Sequence, residues 1–276
     1  STSRRQRQMC IRDSTEGARE WEKILDPRPW LYQTPEQILI KASNGASDFG
    51  NKFGQPLICG SVLTFEHEEN KKKYAYDKVI MLAGGVGYAN MRDALKGDPA
   101  PGEKVVLLGG DNYRIGMGGG AVSSVNTGQY TSGIELNAVQ RANPEMQKRV
   151  SNVIRAIAES DNNPVISIHD HGAGGHLNCL SELVEATGGH IDMSQLPVGD
   201  PTLSAKEIVG NESQERMGLL MKEEDVARVQ RIADRERSPM YVVGETTNDM
   251  KFVFEQADGV KPVSYTHLTL PTTSRV

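Results

Sequence analysis

Apolar residues along this chain follow two patterns, which predict strands and helices. Short uninterrupted apolar runs, such as Val105 to Leu108, lead into a Gly-Gly pair, as buried strands do when a tight turn follows. Longer stretches repeat apolar residues every three or four positions, which predicts helices with one buried face. The predicted strands are 57–66, 79–82, 105–108, 165–168, 217–221, 241–243 and 252–254, and the predicted helices are 35–42, 144–159, 177–186 and 223–235.

The order of these elements predicts the fold class. From Asp77 onward strands alternate with helices, which favours an α/β sandwich with helices packed on one face of the sheet. Before that point, a stretch rich in Gly, Asn and Ser at 43–54 predicts a loop. The length of 276 residues allows one large domain or two small ones.

Composition and charge exclude several classes of protein. The 31 Lys+Arg against 36 Asp+Glu leave a net charge of −5, and the basic run Lys71 to Lys73 lies beside three glutamates in a predicted solvated loop. Because phosphate backbones are neutralised by clustered Lys and Arg, we expect no nucleic-acid partner. No apolar run approaches the roughly 18 residues of a membrane span, and no secretory signal pattern is present. The isolated Cys59 and Cys179 suit reduced thiols, so we predict a cytoplasmic protein without a membrane partner.

The two ends of the chain have related coding sequences. One set of codons for Arg4 to Asp13 has a reverse complement that encodes Val263 to Thr272. A single short DNA element placed at both ends in opposite orientations accounts for this, and it resembles a transposon adapter used in sequencing libraries. We therefore expect 1–14 and 263–276 to be adapter-derived tails, and 15–262 to be an internal fragment of a longer protein.

A glycine-dense segment follows the strand predicted at 105–108. Gly109-Gly110-Asp111 leads to four further glycines between 116 and 120. Backbone N–H groups of such a segment can approach an anion closely, but neither the P-loop nor the Rossmann glycine spacing is present. A series of turns that use glycine's left-handed backbone gives the same pattern. Taken alone, the segment leaves both interpretations open.

Asp170 is the candidate metal ligand. It lies in the stretch IHDHGAGG, directly after a predicted strand. A carboxylate at the C-terminal end of a strand stands at the sheet edge where ligands of open α/β folds collect, and it suits Mg²⁺. His169, His171 and His176 also permit a zinc interpretation, although no further ligand cluster accompanies them. An Asp that only caps the following turn is the structural alternative.

Two polar stretches are candidates for binding a substrate. Glu212, Ser213 and Gln214 occur in NESQERM before an apolar strand, and their acceptors and mixed donor groups suit sugar hydroxyls or an amide. Gln140 precedes the helix predicted at 144–159. A polar turn and a solvent-facing glutamine are the alternatives. Since neither a nucleophile elbow nor an activated Cys/His pair is present, we assign no catalytic residue.

Six motifs in a fixed order give the chain a resemblance to a known family. FGNKFGQPLICG, IMLAGGVG, IGMGGGAVSS, VQRANPEM, IHDHGAGG and NESQERM together resemble the phosphoribosylformylglycinamidine synthases, in particular their long single-chain form. The similarity extends over about 15–258. It implies a two-part α/β fold of the aminoimidazole-ribonucleotide-synthetase type, with 15–82 as the end of the first part, which holds the ATP site, and 83–262 as the second part.

The resemblance also implies an activity and roles for the candidate residues. Synthases of this family use ATP to phosphorylate the amide oxygen of formylglycinamide ribonucleotide, and ammonia from glutamine then displaces the phosphate. A neutral amide is a poor electrophile until its oxygen becomes part of a leaving group. The implied substrate-binding residues are Gln140, Glu212, Ser213 and Gln214, the implied nucleotide-binding residues are Cys59, Gly60 and Ser61, and the implied Mg²⁺ ligand is Asp170.

The implied cofactors are ATP and Mg²⁺, and the implied partners are formylglycinamide ribonucleotide and the other domains of the same polypeptide, including a glutaminase domain. The family's catalytic His and glutaminase residues lie outside the matching segment, so we expect one wall of a synthetase site. Two alternatives stay open. One is another ATP-using synthetase of the same superfamily, and the other is a non-catalytic half that only holds a nucleotide.

Overall fold

The computed structural model describes residues 35–63, 65–76, 81–88, 90–119, 122, 138 and 143–265. They belong to two compact units, one ending at Val86 and the other beginning at Gly87, whereas the sequence analysis placed a boundary after residue 82. The described elements of the smaller unit are helix α1 (Pro35–Phe53) and strands β1 (Glu66–Glu69) and β2 (Lys72–Ala75).

The helix of the smaller unit is longer than predicted. α1 continues through 43–53, where the sequence analysis predicted a loop. The rings of Phe49 and Phe53 stack with centroids 4.4 Å apart, and this i,i+4 contact stabilises the last turns. Each glycine inside the helix costs about 1 kcal/mol relative to Ala, which is too little to end it. The helix ends before Gly54, whose φ of 70° suits a left-handed terminating residue.

A short hairpin follows in the smaller unit, and it corrects two predictions. The strand predicted at 57–66 is wrong, because 57–63 have no regular secondary structure and β1 begins at Glu66. β1 and β2 pair antiparallel around Asn70 and Lys71, both of which have positive φ, as a type I′ turn requires. The basic run therefore continues into a strand, where Lys72 lies opposite Glu69. Of the strand predicted at 79–82, 79–80 lie outside the described residues and 81–82 have no regular secondary structure.

A seven-stranded sheet with helices makes up the described part of the larger unit. Its elements are β3 (Lys104–Leu108), α2 (Pro144–Ala158), β4 (Ser167–His171), α3 (Gly175–Leu183), β5 (Gly189–Asp192), α4 (Ala205–Val209), β6 (Ser213–Met221), α5 (Glu223–Glu236), β7 (Met240–Thr246), β8 (Phe252–Glu255) and β9 (Val263–Tyr265). The strand order is β4-β6-β3-β7-β5-β8-β9. Neighbouring strands are antiparallel except for the parallel pair β5 and β8.

Helices cover both faces of this sheet, so the prediction of helices on one face is wrong. Val105 and Leu107 of β3 belong to one apolar cluster with α3 and α4, whereas Val106 and Leu108 belong to another with α2 and α5. All four side chains are fully buried. A strand that is apolar on both faces needs cover on both faces, and the uninterrupted run of apolar residues in β3 reflects that.

Most predicted elements of the larger unit are present, with shifted ends. α2 begins where predicted because the Asn143 side chain accepts a hydrogen bond from the Met146 N–H and Pro144 occupies the first turn. β5 and α4 are additional elements, and β9 falls within the predicted tail. Among the described residues, no helix is both long enough and apolar enough to cross a bilayer.

Candidate functional site

Asp170 lies on β4, a strand at one edge of the described sheet, and its side chain is exposed. Its Oδ1 accepts a hydrogen bond from the Gly172 backbone N–H at 2.7 Å. This contact caps the glycine turn, which is the local role the sequence analysis kept as an alternative. Because the residue remains exposed, the same carboxylate is also presented to solvent.

A bulge in β6 brings Ser213 to the strand end that carries Asp170. In the β4–β6 pair, Met217 is opposite Asp170, but Ser213 is opposite His171. Residues 214–216 of β6 therefore fit between two consecutive positions of β4. Bulges re-aim side chains and are frequent beside functional sites.

Glu212 is a buried carboxylate that joins two glycine turns. It is 1% exposed, and its Oε1 accepts a hydrogen bond from the Gly174 N–H at 3.1 Å. Its own backbone N–H donates to the Gly116 carbonyl at 2.8 Å. A Cβ at Gly119 would stand 2.5 Å from Glu212 Oε2, so a residue with a side chain there would collide with the carboxylate. Glu212 and the fully buried Ser213 are thus enclosed by the surrounding turns.

Arg216 is a fully buried guanidinium directly after this stretch. Its Nε donates to the Gly110 carbonyl at 3.2 Å, and its Nη2 donates to the Asp111 carbonyl at 3.4 Å. Its Nη1 and Nη2 face the carbonyl oxygen and the Oδ1 of Asn211 at 3.5 and 3.4 Å. Arg216 therefore links the glycine-rich segment after β3 to the turn that precedes β6.

Two fully buried histidines continue from this guanidinium. His176 Nε2 lies 3.1 Å from Arg216 Nη1, and His176 Nδ1 lies 3.0 Å from His171 Nε2. Burial lowers the pKa of both histidines well below its usual value, and the nearby Arg216 charge lowers it further. Both rings are therefore neutral near pH 7. His176 also lies within hydrogen-bond distance of the buried Asn112 side chain.

The zinc interpretation finds no support in the part of the chain that the structure describes. No group of three or more His, Cys, Asp or Glu side chains there could hold a metal ion. His169 forms an ion pair with Glu182 of α3, whereas His171 is buried beside His176. Both histidines face α3, as residues two apart on a strand do, but they contact different side chains of that helix.

The other predicted residues are placed only in part. Gln140 lies outside the described residues, and only the backbone of Gln214, in β6, is described. Cys59, Gly60 and Ser61 are exposed in the smaller unit and have no regular secondary structure. The roles predicted for these residues stay predictions.

Sequence reasoning missed the buried polar cluster of Arg216, His176 and Asn112. The sequence feature that could have indicated it was an arginine immediately before the apolar stretch 217–221, but an arginine there is equally typical of a surface position.

In the glycine-rich segment, Gly116 and Gly118 have φ of 78° and 69°. At least these two glycines therefore form left-handed turns, which is the structural alternative given in the sequence analysis.

Comparison with known proteins identifies the family. Residues 100–255 match the family model described as AIR synthase related protein, C-terminal domain. The chain belongs to this family. Relatives that are named as phosphoribosylformylglycinamidine synthases, at 40% to 44% identity, confirm the predicted resemblance.

These relatives are much longer than the chain. It is 44% identical over 226 residues to the probable chloroplastic/mitochondrial synthase of Arabidopsis thaliana, covering 81% of this chain and 16% of the relative. It is 42% identical over 236 residues to the Homo sapiens synthase, covering 84% of this chain and 18% of the relative. The chain therefore spans less than a fifth of the length of either.

Solved structures of Thermotoga maritima PurL share the fold. Thermotoga maritima PurL complexed with FGAR superposes with a TM-score of 0.61 at 22% identity, over 80% of this chain and 35% of that one. The same protein complexed with ATP gives a TM-score of 0.56 at 21% identity, over 80% and 33%. Together with the family match, these superpositions confirm the predicted α/β fold of the aminoimidazole-ribonucleotide-synthetase type.

Proposed function

We propose that this chain is a segment of a phosphoribosylformylglycinamidine synthase and forms part of its ATP-dependent synthetase site. The observation that carries the proposal is the meeting of two motifs that are 42 positions apart. The turn after Asp170 donates a backbone hydrogen bond to Glu212, and Ser213 lies opposite His171 in the sheet. The sequences around both motifs match relatives named as such synthases, at 40% to 44% identity.

The proposed reaction is the formation of a carbon–nitrogen bond at the cost of ATP. The amide oxygen of formylglycinamide ribonucleotide attacks the γ-phosphorus of ATP and releases ADP. Ammonia derived from glutamine then adds to the activated carbon and phosphate leaves, which gives formylglycinamidine ribonucleotide. The protein contributes mainly positioning and electrostatic stabilisation to phosphoryl transfer of this kind. Glutamine would be hydrolysed in another domain of the longer polypeptide.

Asp170 is the residue that we propose for Mg²⁺. Mg²⁺ in nucleotide sites is commonly held by one or two carboxylates together with phosphate oxygens and water. The exposed carboxylate at the end of β4, fixed by the Gly172 N–H, fits this requirement without a larger ligand cluster. A magnesium ion there would offset the negative charge of the transferring phosphoryl group.

The ribotide and the nucleotide are assigned to different stretches of the chain. We propose that Gln140 and 212–214 contact the ribotide and that 59–61 contact the nucleotide, following the family motifs. Glu212 and Ser213 are enclosed in this structure, so a ribotide reaches them only when the glycine turns around them open. We further propose a cytoplasmic location. The Arabidopsis relative is named as chloroplastic/mitochondrial, so an organellar location is the alternative. Fluorescence imaging of a tagged full-length protein distinguishes the two.

The activity can be tested in a chimera. Residues 35–262 would replace the matching segment of the Dictyostelium discoideum synthase, which is 40% identical over 249 residues. We expect the chimera to convert formylglycinamide ribonucleotide with ATP, Mg²⁺ and glutamine, and Asp170→Asn to abolish turnover. Asp258→Asn is the matched control, because Asp258 also accepts a hydrogen bond from the backbone N–H two residues ahead, at 3.0 Å. Unchanged turnover in Asp170→Asn would refute the proposal and favour a non-catalytic half.

A further inference from the structure

Arg216 lies in the first part of β6, where the backbone of two loops meets the strand. Its guanidinium faces the carbonyl oxygens of Gly110, Asp111 and Asn211 at 3.2 to 3.5 Å. A guanidinium has five N–H donors in a rigid planar fork, whereas a lysine ammonium is a compact point donor. An arginine can therefore hold several carbonyls at once in a fixed relative arrangement, and a lysine at the same position cannot.

The contact of Arg216 with His176 fixes the tautomer of that histidine. A guanidinium carries only donors, so His176 Nε2, 3.1 Å from Arg216 Nη1, must be the acceptor. The proton of the neutral ring is then on Nδ1, which donates to His171 Nε2 at 3.0 Å. His171 accordingly carries its own proton on Nδ1. The order of donors runs from Arg216 through His176 to His171.

This series of contacts ends at the strand end that carries the candidate metal ligand. His171 follows Asp170 directly and lies opposite Ser213 in the sheet. Its ring is fully buried, and its Nδ1 has no hydrogen-bond partner among the described residues. Its Nε2 contact with His176 is therefore the hydrogen bond that orients the ring.

We propose that Arg216 is a positioning residue for the proposed ribotide and Mg²⁺ site. It fixes the turn at 211–213 through Asn211, and it fixes the end of β4 through His176 and His171. The inference rests on the proposed function for what the site binds. Loss of a partner that orients ligand-binding groups typically costs about 10- to 100-fold in affinity, so a rigid support for both segments matters for binding.

The tautomer of His176 tests the contacts between Arg216, His176 and His171 without reference to any ligand. In the 276-residue chain labelled with ¹⁵N-histidine, NMR at pH 7 should show the proton of His176 on Nδ1 and its Nε2 unprotonated. A proton on Nε2 of His176, or a cationic ring, would overturn the proposal, because Arg216 could then not donate to it. This result stands whether or not the synthase activity is correct.

Arg216→Lys in the active chimera tests the role in binding. We expect the KM for formylglycinamide ribonucleotide to rise about 10- to 100-fold, the range typical for residues that orient ligand-binding groups, with the KM for glutamine unchanged. Arg149→Lys is the matched control, since Arg149 donates to the backbone carbonyl of Arg237 and pairs with Glu145 on another part of the unit. A lower kcat with every KM unchanged would indicate a folding role alone and would overturn the proposal.

If Arg216→Lys does not fold, His176→Asn provides a second test of the proposal. This variant leaves the carbonyl contacts of Arg216 in place and removes the link to His171. The concentration of Mg²⁺ needed for half-maximal activity should rise at least several-fold while the ribotide KM changes little. Unchanged Mg²⁺ dependence would refute the histidine link. An inactive unsubstituted chimera would count against the proposed function. The NMR measurement of the histidine tautomer would then be the remaining test of the Arg216 network.

Discussion

Gly175→Ala is a quantitative test of how closely the two motifs approach. Gly175 opens α3 with a φ of 57°, and a Cβ there would stand 2.3 Å from the carbonyl oxygen of Asn211. The left-handed backbone costs an alanine about 1–2 kcal/mol, and overpacking against a backbone group adds about 1–3 kcal/mol. The lower conformational entropy of alanine in the unfolded chain returns about 0.4–1 kcal/mol. The free energy of unfolding should therefore fall by about 1–5 kcal/mol.

Gly118→Ala is the control that separates the two costs. Gly118 has a φ of 69°, but a Cβ there would meet no atom of the described residues within 4 Å, so this variant bears mainly the backbone cost. Urea unfolding followed by circular dichroism gives the free energy for each variant, provided the slope with urea is unchanged. We expect Gly175→Ala to be less stable than Gly118→Ala by about 1–3 kcal/mol. Equal midpoints would show that Gly175 does not lie against Asn211.

Two further predictions concern a thiol and a histidine. In a Cys10→Ser background, a thiol reagent should label the exposed Cys59 quickly and Cys179 only on unfolding, because burial encloses that thiol and raises its pKa; rapid labelling of both in the folded chain would contradict the structure. Burial, with the nearby Arg216 and His171, holds the pKa of His176 below its usual value. The unfolded chain therefore binds a proton that the folded chain does not, and below about pH 6.5 the free energy of unfolding should fall by up to about 1.4 kcal/mol per pH unit from this residue. Urea unfolding measured between pH 7 and pH 5 gives the free energy of unfolding as a function of pH. This free energy should fall less steeply with decreasing pH in His176→Asn than in the unsubstituted chain, and an identical pH dependence would refute the assignment.

Elements with local signals were predictable from the sequence, and elements that depend on distant partners were not. α2 has its cap at Asn143, a proline in its first turn and a regular apolar face, all within its own sequence. β5 has only four residues and is held by pairing with β7 on one side and β8 on the other. Its stability comes from segments 53 to 63 positions further along the chain, which no local pattern reveals.

The candidate site divides in the same way. Asp170 and 212–214 are recognisable because they are polar residues beside apolar strands. Arg216 is not, because its burial depends on carbonyl groups up to 106 positions away along the chain. The neutral state of His176 depends on the same distant contacts, so a histidine that sequence reasoning treated as a possible metal ligand is instead part of a buried hydrogen-bond network.

β6 carries the polar bulge at its beginning and the apolar core at its end. Its pairing with β3 runs without interruption from Met217 opposite Leu108 to Met221 opposite Lys104. A shift of one residue along this strand would turn every side chain to the opposite face. The stability of the core and the geometry of the proposed ligand site therefore depend on the same strand register. A substitution at Leu219 that displaces the strand lengthwise would also displace Arg216, so a change in the core would alter the proposed site without touching it.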